Sequence, residues 1–166
     1  MMRLKNRLRS RKGITLMETI VAAGVLAVLA LMLNTGLMMA QNSYYRSVGE
    51  SESQMLLSTL SDLIARELRY ARDVVTEEDG TLRRYTSANY GRNTTLSLDS
   101  QGQLKANDRR MLSTGAYGNG VYGIESCRII YDETNGLFRV ELTVSGTHAA
   151  EQTTEFSVRC LNAAGI

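Results

Sequence analysis

Residues 14–33, Ile-Thr-Leu-Met-Glu-Thr-Ile-Val-Ala-Ala-Gly-Val-Leu-Ala-Val-Leu-Ala-Leu-Met-Leu, carry one charge in 20 positions. As a helix rising about 1.5 Å per residue, the run reaches about 30 Å, the thickness of a bilayer's hydrocarbon layer. Immediately before it, Arg3, Lys5, Arg7, Arg9, Arg11 and Lys12 place six cations in 13 residues with no acid among them. A basic flank on one side only sets the N-terminus in the cytoplasm and everything after the run outside. No other feature limits the fold so strongly. A segment this long and apolar needs lipid or equally apolar partners, so a water-soluble domain starts only beyond it.

Three kinds of membrane segment fit that description. A secretory signal has a basic start, an apolar stretch of 7–15 residues and a small-residue cleavage site. Ile20 to Leu33 would serve as the stretch, but neither Met38 with Ala40 nor Asn34 with Gly36 makes an A-x-A site. A plain signal anchor is the second kind. Neither accounts for Glu18, because a carboxylate near the centre of a span costs on the order of 3 kcal/mol, and less toward the interface. An acid in that position needs a partner.

The stretch Arg11-Lys12-Gly13-Ile14-Thr15-Leu16-Met17-Glu18 resembles the prepilin signal of the type IV pilin and pseudopilin family. In that family a basic leader ends in Gly, the cut follows the Gly, and an acid stands fifth in the chain that remains. Counted from Ile14, Glu18 is fifth. The resemblance implies cleavage after Gly13, N-methylation of Ile14 and retention of the apolar helix. It also implies pairing of Glu18 with the α-amine of a neighbouring subunit, which would offset the cost of a carboxylate in hydrocarbon. The implied partners are other pilin or pseudopilin subunits, a prepilin peptidase, a membrane assembly platform, and membrane lipid before assembly. The implied location is the cytoplasmic (inner) membrane in a single pass, then a cell-surface or periplasmic filament. The match covers residues 9–40. It departs from the family's usual pattern in having Ile14 where Phe is common and Thr35 where a kink-forming Pro is often found. Asn34-Thr35-Gly36 then marks the weakest stretch of the helix, since Gly costs about 1 kcal/mol in a helix interior.

Beyond Gly36 the pattern stays helical and becomes amphipathic. Met55, Leu56, Leu60, Leu63, Ile64, Leu68, Ala71, Val74 and Val75 recur three and four apart, which predicts an apolar stripe over 37–76. Asp62 with Arg66 and Arg69 with Asp73 are spaced as i,i+4 pairs, and Glu77-Glu78-Asp79-Gly80 reads as the helix end. The Ser and Gly residues between Ser43 and Ser53 are a candidate break. From residue 77 the period changes to two. Strands are expected at 82–85, 94–98, 103–105, 124–131, 137–144 and 155–161, with hairpin turns at Asp99–Gly102 and at Asp132–Gly136, the second closing on Asn135-Gly136. Val140, Leu142 and Val144 alternate with Arg139, Glu141 and Thr143, so one face is covered and the other wet. The helix stripe is the economical cover. The fold class is therefore α+β, with a long N-terminal helix, membrane half then amphipathic half, packed on a C-terminal antiparallel sheet. This is also the type IV pilin architecture. The expected segments are a leader at 1–13, a membrane helix at 14–36, its amphipathic continuation at 37–76 and a β-rich domain at 77–166.

The rest of the chain holds few reactive groups. Cys127 and Cys160 contain no CxxC, and one His with two Cys is too few for a structural zinc site. Outside the cytoplasm the two cysteines are compatible with a disulfide closing about 34 residues and equally with two separate buried thiols. His148 lies in a Gly-Thr-His-Ala-Ala connection and reads as a solvated loop residue. Glu77-Glu78-Asp79 lacks alternating calcium-ligand spacing and reads as a turn. Tyr85, Tyr90, Tyr117, Tyr122 and Tyr131, interspersed with glycines, read either as loop aromatics lying on the sheet or as a subunit-contact or ligand patch. Arg83-Arg84 and Arg109-Arg110 are isolated pairs, too sparse to predict specific nucleic-acid binding. No P-loop, nucleophile elbow or metal motif occurs. The expectation is a structural subunit without catalytic residues, cofactor or metal, itself a substrate of processing enzymes. The segment Leu60 to Arg72 weakly resembles J-type pseudopilins and minor pilins, which points to a minor subunit of a pilus, with a secretion or competence pseudopilin as the alternative. The rival class is an extracytoplasmic binding domain on a simple tether. The formal charge of +2 belongs to the uncut chain. Without residues 1–13 there remain 13 Lys and Arg against 17 Asp and Glu, net −4.

Overall fold

A computed structural model of the chain describes residues 15–113, 121–147 and 149–162. It opens with one helix, α1, Leu16–Arg69, 54 residues long. Thr15 starts it: its Oγ1 accepts the Glu18 backbone N–H at 3.3 Å. Thr three residues ahead of Glu is the capping-box spacing, and an acid in the first turn also suits the positive end of the helix dipole. With no proline in the sequence, nothing removes a helical N–H, and α1 continues through Asn34-Thr35-Gly36 and through Ser43 to Ser53. The Thr35 hydroxyl donates to Leu31 O at 2.6 Å and that of Thr19 to Thr15 O at 3.3 Å. The helix backbone thus takes up the hydroxyls of Thr19 and Thr35 in the apolar half.

Compactness divides the chain between Tyr44 and Tyr45, eight residues beyond the boundary expected from hydropathy. Up to Tyr44 every described residue is exposed. In the second unit the helix buries a stripe of Gly49, Ser53, Leu56, Leu57, Leu60, Ile64, Glu67 and Leu68. These three- and four-residue steps keep one face inward. Met55, expected on that stripe, is 74% exposed, because one residue of helix turns the side chain by about 100° away from Leu56.

Helix α1 ends at Arg69, seven residues short of the expected position 76. The cause is long-range. Leu161 N–H donates to Arg69 O at 2.8 Å, Asn162 Nδ2 to Tyr70 O at 3.1 Å, and the Cys160 thiol to Ala71 O at 3.3 Å. Carbonyls that would otherwise accept the next helical turn are thereby taken by the segment after the last strand. The chain then turns through Asp73 at φ +47°. Val74 and Val75, β-branched and read as helical, enter strand β1, Arg72–Thr76. Glu77–Gly80 is consequently a strand-to-strand turn, not a helix cap: Gly80 N–H donates to Glu77 O at 3.0 Å, with Gly80 at φ +82°. The expected Arg69–Asp73 pair is lost with the helix, and Asp73 accepts the Thr86 hydroxyl at 3.0 Å. The Asp62–Arg66 pair forms, at 2.6 Å.

Among the described residues nine strands form three antiparallel three-stranded sheets where one sheet was expected. The first is β1 with β2, Leu82–Ser87, and β3, Gly91–Thr94. The second is β4, Leu96–Leu98, with β5, Leu104–Ala106, and β6, Arg109–Arg110. The third is the long meander of β7, Tyr122–Asp132, β8, Leu137–Gly146, and β9, Ala149–Arg159. Both expected hairpin turns form. Asp99 takes the Gln103 and Gln101 N–H groups at 2.9 Å and Lys105 at 3.1 Å, and these bonds hold its carboxyl below the usual range. Asp132 is likewise lowered, first by the Asn135 side chain at 2.7 Å. On β8, Phe138, Val140, Leu142 and Val144 are fully buried. They share one core with Leu56, Leu60, Ile64 and Leu68 of the helix.

The other sheets cover the outer edge of β7. Tyr131 N–H donates to Gly80 O, and Ile124 N–H to Gly102 O, both at 2.9 Å. The second contact requires glycine. Gly102 is at φ +69°, and a Cβ there would lie 2.9 Å from Ile124 N. A strained backbone position costs about 1–3 kcal/mol, and the collision adds to it. Gly102→Ala should therefore lower the urea unfolding midpoint by an amount equivalent to at least about 1 kcal/mol, measured by circular dichroism.

Candidate functional site

The sequence placed function at the head of the helix. Gly13 and Ile14 lie outside the described residues, so the junction itself has no described geometry. Thr15 and Glu18 are described, and Glu18 stands exposed in the first turn of α1 with its backbone held by the Thr15 cap. Behind it the helix presents apolar side chains all round: Leu16 is 80%, Leu31 69% and Leu33 75% exposed. A bare apolar surface of this extent is unstable in water and marks a membrane or protein contact. By length and composition the helix is able to cross a membrane.

In the second unit the structure assembles a cluster that sequence reading missed. Glu67, only 6% exposed, points from α1 to the end of β2. Its Oε1 accepts the Ser87 hydroxyl in a very short bond and the Tyr85 hydroxyl at 3.4 Å; its Oε2 accepts Asn89 Nδ2 at 2.9 Å. Ser87 Oγ in turn accepts the backbone N–H groups of Asn89 at 3.0 Å and Tyr90 at 2.9 Å. Burial pushes the Tyr85 hydroxyl far above its ordinary pKa, and the Glu67 charge raises it further. Tyr90 is raised by the same two causes and lowered by Arg109. One sequence signal was available: Glu67 lies three residues after Ile64 and seven after Leu60, on the buried stripe.

The structure contains the two cysteines as thiols. Cys127 on β7 lies opposite Leu142, whereas Cys160 follows β9 and donates its N–H to Gly136 O. β8 lies between the two outer strands, which puts them about 9.5 Å apart, and six residues of β8 add about 20 Å along the strand. A disulfide needs Cα atoms within about 7 Å, so the bridge is ruled out and the two-thiol alternative holds. Burial raises the Cys127 thiol to about 11.

The remaining groups are dispersed. Of the described tyrosines, Tyr85 is a core residue, and Tyr90, Tyr122 and Tyr131 are half-buried against that core. Tyr131 stacks on Phe138 with ring centres 4.5 Å apart. Tyr117 and His148 lie outside the described residues. Asp79 accepts the Thr81 N–H at 2.9 Å and the Thr81 hydroxyl at 2.8 Å, so the acidic stretch is a turn with its last carboxylate engaged. Arg83-Arg84 on β2 and Arg109-Arg110 on β6 are exposed. An open cleft of about 590 Å³ lies between the β4–β5 turn and the paired ends of β7 and β8. Its carboxylates are engaged, Asp99 by Lys105 and Glu125 by Ser145 at 2.5 Å. Among the described residues no three His, Cys, Asp or Glu come together as metal ligands.

No protein-family model, no curated protein and no solved structure matches this chain. The described molecule is an α+β protein in which a helix of membrane-crossing length continues into the core of an antiparallel β domain.

Proposed function

We propose that the chain is a structural, minor subunit of a type IV pilus or related filament. In this reading it is inserted in the membrane as a prepilin, cut after Gly13 and N-methylated at Ile14. The single observation that carries the reading is the layout of α1. An acid stands in its first turn, five residues after a basic leader ending in Gly, and the apolar length that follows is exposed, covered by none of the described residues. The helix then continues, without interruption, into the packed stripe of the β domain. A filament supplies both missing partners. Apolar halves of neighbouring helices cover one another, and Glu18 meets the ammonium of a neighbour's Ile14, so that neither charge is left alone in a low-dielectric core. Because the two charges come from different subunits, the pairing favours stacked chains over single ones.

Coexpression with a prepilin peptidase tests this. The expected product has lost residues 1–13 and begins with N-methylated Ile14, read by intact-mass and N-terminal peptide spectrometry. An uncleaved chain makes the helix a plain tether for a binding domain, and a cut after residue 36 makes it a secretory signal. Either outcome overturns the proposal.

A further inference from the structure

We propose that Tyr44 and Tyr45 are the membrane-interface site of α1: they lie in the lipid headgroup layer at the end of the span opposite Glu18, and they reach it because the helix crosses tilted by about 34°. This rests on the membrane-crossing part of the proposed function and not on cleavage at Gly13. Between Glu18 and Arg46 no residue is charged, and the stretch changes character along its length. Apolar side chains run to Leu37, Met38 and Met39, all exposed. Ala40-Gln41-Asn42-Ser43 follows, then Tyr44-Tyr45 and Arg46. Tyr44 is 66% and Tyr45 55% exposed, and Arg46 pairs with Glu50 one turn on at 2.8 Å. Tyrosine joins an apolar ring to a polar hydroxyl, which suits it to the boundary between hydrocarbon and water.

Length decides where the tyrosines stand. Leu16 to Met39 is 24 residues, about 36 Å of helix against a hydrocarbon layer of about 30 Å. Upright, the helix would push Leu37 to Met39 out of the hydrocarbon and lift Tyr44 about 12 Å above it. The headgroup layer is only about 5–7 Å deep, so Tyr44 would stand in water. A tilt of about 34° brings the whole apolar length inside the hydrocarbon, within the range of about 0–40° that spanning helices adopt. The five residues from Met39 to Tyr44 then climb only about 6 Å, which sets Tyr44 in the headgroup layer. Helical side chains lean toward the N-terminus, so its ring points back to the hydrocarbon. One tilt thus covers the last apolar turn and gives the tyrosines their boundary. It also leaves Glu18, two residues from Leu16, close to the opposite surface, where a carboxylate costs least.

The chain has no tryptophan, so a single introduced indole reports depth by its fluorescence. In the full chain in phosphatidylcholine vesicles, Tyr44→Trp should be quenched most by a nitroxide on the lipid headgroup, at about 21 Å from the bilayer centre. Tyr45→Trp should report the same layer. Leu29→Trp should be quenched most by brominated acyl chains, within about 3 Å of the centre. If the indoles at 44 and 45 are quenched by aqueous iodide alone, at the roughly 27 Å of an upright helix, the proposal is overturned while Leu29→Trp still shows a span. Indoles there that are shielded from headgroup label and iodide alike mark a protein contact and overturn it as well. If brominated chains do not quench Leu29→Trp, α1 does not cross the bilayer, and the membrane-crossing reading falls together with the proposal.

Discussion

If the chain is the filament subunit proposed above, a Glu18→Ala chain is expected to enter the membrane as well as the parent and to be lost from sheared filaments, by on the order of a hundredfold. The size follows from the proposed pairing of Glu18 with a neighbour's α-amine. Removing one partner of an ion pair shielded from water leaves the other charge uncompensated, at a cost of about 3–5 kcal/mol. Membrane fractions should hold equal amounts of the two chains, because deleting a charge from an apolar helix does not hinder insertion. Unchanged filament incorporation would show that Glu18 has no assembly role. Thr15→Ala separates pairing from capping. The Thr15 cap holds the Glu18 N–H, and losing an N-cap costs about 1 kcal/mol. If Thr15→Ala matches Glu18→Ala in filament loss, the acid serves the helix start and not a neighbouring subunit.

Phe138→Ala is expected to be the most damaging single change in the β domain. Phe138 is fully buried near the start of β8 and packs its ring against Tyr131. Truncating a buried Phe costs about 3–5 kcal/mol, against a total of about 5–15 kcal/mol for an ordinary domain. Urea unfolding followed by circular dichroism should show the midpoint collapse. Met55→Ala, at a site 74% exposed, should stay within about 0.5 kcal/mol of the parent. A mild effect at Phe138 would mean that the helix stripe and β8 do not share one core.

Elements whose cause is local were readable in advance. The Asp99–Gly102 turn, the Asp132–Gly136 turn and the alternation along β8 each depend on residues within a few positions of one another. The β8 alternation foretold burial of Val140, Leu142 and Val144, and that burial is complete. Reading failed where a distant segment intervened. Val74 and Val75 continue the apolar spacing of the helix, and only the arrival of residues 160–162 at the carbonyls of Arg69, Tyr70 and Ala71 makes them a strand. Glu67 was passed over for a related reason: an acid on an apolar stripe looks like a fault in the pattern until its donors, 18 to 22 residues further along, are seen around it.

The sequence by itself therefore determined the membrane-length helix, the isolated charge at Glu18 and the α+β class. Hydropathy and charge act through solvent, and solvent needs no tertiary partner to impose its preference. Tertiary structure alone decided where the helix stops, that one expected sheet is three, that the cysteines stay apart, and that a buried carboxylate ties a hairpin to the helix. Those outcomes rest on directional hydrogen bonds and on steric fit between residues far apart in the chain, and both exist only once the fold has brought the residues together.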